Sequence, residues 1–180
     1  MNYPDRKLIP IESLTVKSYQ LWDGQWFLLT AGDFANSHFN TMTVSWGALG
    51  CMWNRPIALV VVRPHRYTYE FIEKYDTFTL SAFPEASRKA LSLLGSRSGR
   101  DGDKIAASGL TPIASETIAA PGFAEAELIL ECRKIFASDY RPEQFLDYSI
   151  ESNYPKGDFH RMYYGEISAA YGTAEKFGAS

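Results

Sequence analysis

Between Asn40 and Thr68 the hydrophobic pattern changes its period, and the rest of the chain is most easily ordered around that stretch. From Thr41 to Trp46 polar and apolar residues alternate, with Thr41, Thr43 and Ser45 at one parity and Met42, Val44 and Trp46 at the other. This predicts a strand with one face of hydroxyls. Ile57 to Val62 is an unbroken apolar run, as expected of a strand covered on both faces, and it ends at Arg63-Pro64 with a cation at the strand's end. Asn54-Arg55-Pro56 between the two is a turn signal, so the two strands are expected to be neighbours.

The flanking pattern supplies more strands and a few short helices. Trp26 to Thr30 reads as a strand after a lead-in of prolines and charges, and the polar run from Ala31 to His38 as a hairpin loop into the strand at Asn40. Thr68 to Tyr75 has a helical spacing of Tyr69, Phe71, Ile72 and Tyr75, with Thr68 as its cap. Thr77 to Phe83 returns to strand. Glu85 to Leu94, opened by Pro84 and stopped by Gly95, is a second helix, and a short helical segment lies around Ile105 to Ala107. Ala126 to Ala137 and His160 to Tyr171 are strands, separated by an excursion with one helical turn near Glu143 to Leu146. About six strands with two or three short helices predict one mainly β domain over residues 1–180, an antiparallel barrel with helical insertions.

Composition narrows the function classes. A chain of 180 residues is long enough to remove roughly 70% of its unfolded surface from water. Eighteen basic against twenty-one acidic residues, without a dense basic cluster, exclude a nucleic-acid footprint. No long apolar run is present, so neither export nor membrane insertion is expected, and a cytoplasmic location is. Cys51 and Cys132 stand far apart with no CxxC or histidine pair, which predicts two buried, inert thiols and no metal.

Candidate chemistry is concentrated in two places. The hydroxyl face at Thr41, Thr43 and Ser45 reads either as the solvent side of a half-buried strand or as the wall of a ligand carrying phosphate or carbonyl oxygens. Arg63 and Arg66 precede the helix at Thr68, and Arg100 and Lys104 precede the helix at Ile105. Each alone reads as a surface charge, but cations beside helix starts complete an anion site. In the SGRDGDK loop, Asp101 and Asp103 are equally able to pair with those cations. Only three histidines occur, and no order of serine, histidine and acid supports a hydrolytic triad.

NTMTVSWG, RPHRYT, SGRDGDK and DFHRMYYGEI, in that order between about Trp26 and Ile167, resemble the flavin reductase family of FMN-binding split barrels, and more closely its flavoredoxin-like branch. The resemblance implies a Greek-key split β-barrel, a homodimer with FMN near the subunit interface, and hydride or electron transfer through the flavin. By motif it sets Thr41, Met42, Thr43, Val44, Ser45 and Trp46 along the flavin, and Arg63, Arg66, Thr68, Ser98, Arg100 and Lys104 around the ribityl phosphate. Ser81 stands where many relatives carry asparagine, and His160, in DFH, matches the histidine that lies near the nicotinamide in classical flavin reductases. Two functions are implied. One is NAD(P)H-dependent reduction of flavin; the other is an FMN-containing electron carrier with a redox partner protein and no nicotinamide turnover. A flavin performs the redox chemistry itself, so the absence of a catalytic triad suits either.

Overall fold

The computed structural model describes residues 3–178. In chain order its strands are β1 (Arg6–Leu8), β2 (Phe27–Asp33), β3 (His38–Val44), β4 (Gly47–Met52), β5 (Arg55–Val62), β6 (Thr77–Ala82), β7 (Pro112–Ile113), β8 (Gly122–Phe123), β9 (Leu128–Asp139) and β10 (Arg161–Thr173). The α-helices are α1 (Tyr67–Lys74), α2 (Arg88–Ser96), α3 (Lys104–Ser108) and α4 (Ala174–Phe177). Strands β7 and β8 form a separate two-stranded ribbon; the other eight make one antiparallel sheet in the order β3-β2-β6-β9-β10-β5-β4, with β1 added on β10.

The two ends of that path, β3 and β4, are consecutive in the chain and joined only by Ser45 and Trp46, yet they do not pair. The sheet therefore curls round almost to closure and stays open at this corner, as a split barrel. Strand β10 makes the curl. Its first half pairs with β5 and its last residues with β1, and register shifts at Tyr164/Gly165 and Ile167/Ala169 bend it between those tasks. Inside lie Phe27, Leu29, Val60, Phe78, Leu80, Leu130 and Tyr163. A second apolar layer of Leu28, Phe83, Leu91, Leu94, Phe123 and Ile129 fills the space between the outer face of the sheet and α2. Strand β2 is thus covered on both faces, which explains why Phe27, Leu28 and Leu29 are all apolar.

The long strands β9 and β10 and the hairpin from β2 to β3 agree with the sequence pattern, but the order around Asn40 to Thr68 does not. The two predicted neighbours do not pair: β3 pairs with β2, and β5 takes β4, a strand hidden in the glycine-rich GALGCM run. The turn between β4 and β5 is Trp53-Asn54, both at positive φ, with Arg55 and Pro56 already inside β5. Helix α1 starts one residue before Thr68, and Arg66 is its N-cap. Gly95 does not stop α2, which runs to Ser96. A Cβ on Gly95 would sit 3.1 Å from Cβ of Thr43, so the glycine serves the close approach of α2 to β3. Cys132 is buried as expected, whereas Cys51 is exposed because both faces of β4 are largely open.

Candidate functional site

The open corner of the barrel is a groove. Its first part, a cavity of about 180 Å³, is lined by Met42 to Trp46, by Val61 and Arg63 from the end of β5, and by Arg66 and His160. Its second part, about 200 Å³, lies between the start of α1 and the end of α2 and is lined by His65, Arg66, Tyr67, Thr68, Ser96, Arg97, Ser98 and Lys104. Arg66 belongs to both walls. Neither cavity alone reaches the ~300 Å³ at which small-molecule pockets begin, but together they do. The first end sets the aromatic and aliphatic side chains Trp46, Met42, Val44 and Val61 beside Arg63 and Arg66, and the second gathers Arg66, Arg97 and Lys104.

At the cationic end the last turn of α2 holds the charges in place. An Arg66 guanidinium N–H donates to the Gly95 carbonyl at 2.6 Å, and Lys104 Nζ donates to the carbonyls of Leu94 at 2.9 Å and Arg97 at 3.1 Å. A helix C-terminus, with its unpaired carbonyls and negative dipole end, is a natural seat for cations. Most of the five Arg66 donors and one Lys104 donor remain for a ligand. Burial, with Arg66 close by, brings the Lys104 ammonium down to about 8, and burial also lowers Arg66. Arg97 is exposed, and its guanidinium has no partner among the described residues.

The aromatic end carries one histidine in its wall. His160 is buried, its ring 5.3 Å from that of Trp46, and its Nδ1 lies 2.8 Å from the Tyr154 hydroxyl. Burial first, and the Arg63 charge second, hold the imidazole down to about 4, so it is neutral at neutral pH. Arg63 itself is tied down, donating to Asp158 at 2.8 Å and to the Asn153 carbonyl at 2.8 Å.

The structure gathers most of the residues singled out in the sequence, with five changes. Thr41 is fully buried beneath the second layer, bonded to Thr30 and to the Leu29 carbonyl, and Thr43 donates to the Leu91 carbonyl. The hydroxyl face is therefore taken up by β2 at Thr41 and by α2 at Thr43, and only Thr43 and Ser45 reach the groove. Arg63 stands at the Trp46 end of the groove and not between α1 and α2. Thr68 lines the cationic end, but its hydroxyl accepts from Asn40 at 2.7 Å and does not cap α1. Arg100 is drawn away by Glu70, by the His65 carbonyl and by the Tyr67 ring. Ser81 lies outside the groove, fully buried beside β2, with its hydroxyl unpartnered. Removing that hydroxyl relieves an unsatisfied buried group, so Ser81→Ala is expected to leave thermal stability unchanged or raise it, and a marked drop in melting temperature would contradict this placement.

Arg97 and Tyr154 were missed in the sequence. Arg97 adjoins Ser98 in a loop recognised as cationic, but only the end of α2 decides that it, and not Arg100, faces the groove. Tyr154 sits in an excursion with no periodic signal.

The family profile described as "flavin reductase like domain" matches residues 24–178. The chain belongs to this family. Among solved structures, the flavin reductase-like fold of this chain is similar to an FMN-binding domain of a flavin reductases-like enzyme from Shewanella baltica OS155, at 19% identity over 97% of this chain and 81% of that one, with a TM-score of 0.71. It is also similar to the flavoredoxin of Desulfovibrio vulgaris (Miyazaki F), at 26% identity over 81% of this chain and 68% of that one, TM-score 0.63. The flavoredoxin from Methanosarcina acetivorans is 26% identical over 82% of this chain and 68% of that one, TM-score 0.64. No curated protein matches the chain. The split-barrel fold expected of the family is the fold described above. No helix among the described residues is long and apolar enough to cross a membrane, and no group of metal-binding side chains occurs among them.

Proposed function

We propose that the groove binds FMN and that the protein is an NAD(P)H-dependent flavin oxidoreductase of the cytoplasm. The observation that carries this reading is the pairing of a cavity walled by Trp46, Met42, Val44 and Val61 among polar groups with a cationic one through the shared Arg66. Such a division suits a flat heteroaromatic ring on a chain that ends in phosphate. Arg66, Arg97, Ser98 and Lys104 would hold the phosphate, and Met42 to Trp46, with Val61 and His160, would border the ring. The flavin, when bound, accepts hydride from a nicotinamide and passes electrons on. The chain's own part is to position the two partners and to keep water from the ring end. Two free cysteines, one of them exposed, suit a reducing compartment.

The flavoredoxin neighbours favour a second reading, an electron carrier served by a reduced partner protein. The purified protein decides between the two. It should show a flavin spectrum that NADH or NADPH bleaches within seconds without oxygen; a yellow protein that only a reduced protein partner bleaches would establish the carrier instead.

The working form is proposed to be a homodimer. Strand β4 has one edge unpaired among the described residues, carries no charge from Gly47 to Trp53, and leads directly from Trp46 at the groove. At its tip Trp53 lies 5.8 Å from Phe136 and 5.9 Å from Tyr164, and both Trp53 and Phe136 are exposed. An uncharged, open edge strand needs a cover, and a second copy offers the same strand in self-complementary form. Trp53→Glu is expected to shift the protein from dimer to monomer in light scattering; a parent protein already monomeric with FMN bound would remove the proposal.

A further inference from the structure

Between β9 and β10 the chain from Tyr140 to Phe159 makes an excursion whose regular elements are two 3₁₀ segments, Pro142–Gln144 and Tyr148–Asn153, and one of its residues reaches back to the groove. The Tyr154 ring is 5% exposed. It stacks on Phe145 at 6.1 Å and packs on Phe159 at 4.7 Å, so its hydroxyl is presented in a fixed direction. That hydroxyl lies 2.8 Å from Nδ1 of His160 and has no other partner among the described residues. Nε2 of His160 has no hydrogen bond there either, and it is not among the sealed, unpartnered atoms, which leaves it open to the cavity that the ring lines.

We propose that Tyr154 is a positioning residue that fixes His160 as an Nε2–H donor, so that the ring end of the groove recognises a ligand through a carbonyl oxygen. This rests on the flavin reading only for the identity of the ring that lies beside the ligand. The proton count leads to it. Burial keeps the phenol protonated, and burial with the Arg63 charge keeps the imidazole neutral, so the pair shares two protons. If the phenol donates to Nδ1, both are used: one in the Tyr154–His160 bond, the other on Nε2 facing the groove. In the reverse arrangement Nδ1–H donates to the phenol, whose own proton is then left without an acceptor in a buried place. The Arg63 guanidinium, 5.0 Å from the centre of the Tyr154 ring, also withdraws charge from the phenol and strengthens it as a donor. The other ionisable groups facing His160 are Asp158, which is paired to Arg63, Arg66 on the positive side, and His65, whose Nδ1 lies 3.1 Å from Asp158.

The tautomer can be read directly. In flavin-free protein labelled with ¹⁵N-histidine at pH 7, long-range proton–nitrogen spectra should show the Nε2–H pattern for His160, assigned by its loss in His160→Gln. In Tyr154→Phe that pattern should give way to a mixture, with the signals of His38 and His65 unmoved as a check on folding. An Nδ1–H form in the parent, or an Nε2–H form undiminished in Tyr154→Phe, would overturn the role of Tyr154. Ligand recognition is tested on FMN-loaded protein with 3-acetylpyridine and 3-isopropylpyridine, which differ in a carbonyl oxygen against a methyl group. One neutral hydrogen bond corresponds to a preference of roughly two- to tenfold for the ketone, reduced in Tyr154→Phe. Equal affinities, or saturable binding by neither, would overturn it. Because the tautomer is read without flavin, a failure there leaves FMN binding standing, and a failure to bind FMN leaves the tautomer standing.

Discussion

Arg97→Ala is expected to weaken FMN binding by roughly ten- to a hundredfold while leaving riboflavin almost unaffected, because a hydrogen bond to a charged group contributes about 1.5 to 3 kcal/mol. The Arg97 guanidinium has no other task among the described residues, so the substitution should not disturb the fold. Arg100→Ala should do little to FMN, since that side chain is engaged by Glu70, the His65 carbonyl and the Tyr67 ring. Titration of both variants with FMN and riboflavin, at low and moderate salt, checks the assignment. Equal loss of both ligands in Arg97→Ala would place the phosphate elsewhere.

Lys104 adds a pH signature of opposite sign for binding and for stability. Its ammonium is down to about 8 in the folded protein against 10.5 ordinarily, with burial the largest cause. Between those values the unfolded chain binds more protons than the folded one, so this group's contribution makes the ligand-free fold more stable as pH rises from about 8 towards 10.5. Over the same window the charge facing the phosphate is lost, and FMN affinity should fall. Lys104→Met should flatten both trends relative to the parent, and a parallel pH dependence of FMN affinity in the two proteins would exclude Lys104 from the phosphate end.

The largest loss of stability is expected from an exposed position. Gly47 begins β4 at the open corner of the barrel, where a Cβ would lie 2.3 Å from the Leu59 carbonyl oxygen and 2.4 Å from Cη2 of Trp22. Trp22 cannot yield easily, because it is buried and packed edge-on against Phe27 at 4.7 Å. Gly47→Val must therefore push β4 off β5 or Trp22 out of the core, with a cost of about 1 to 3 kcal/mol or more. Denaturant unfolding should show the lower midpoint, and FMN binding should weaken with it, since Ser45 and Trp46 are carried on the same turn. A valine variant as stable as the parent would mean that the close packing at this corner is wrong.

What the sequence by itself determined were the features that depend on near neighbours in the chain. The period-two run at Thr41 to Val44, the apolar run at Ile57 to Val62 and the helical spacing after Thr68 each state their own local structure, because alternation and helical period are set by the backbone. The four ordered motifs were enough to place the chain in its family. Tertiary structure decided which groups remain free. The hydroxyl of Thr43 is consumed because α2 packs on β3, a contact made across a long stretch of chain, and that of Thr41 because β2 pairs alongside and offers Thr30 and the Leu29 carbonyl. Arg100 and Arg97 look alike in the sequence, and only the presence of Glu70 and Tyr67 beside one of them separates a paired cation from an available one. Strand β4 escaped the pattern because an edge strand open on both faces needs no alternation. The partnership of Tyr154 with His160 joins a loop without periodicity to the end of a strand, and such a hydrogen bond is specified by where two rings meet in space.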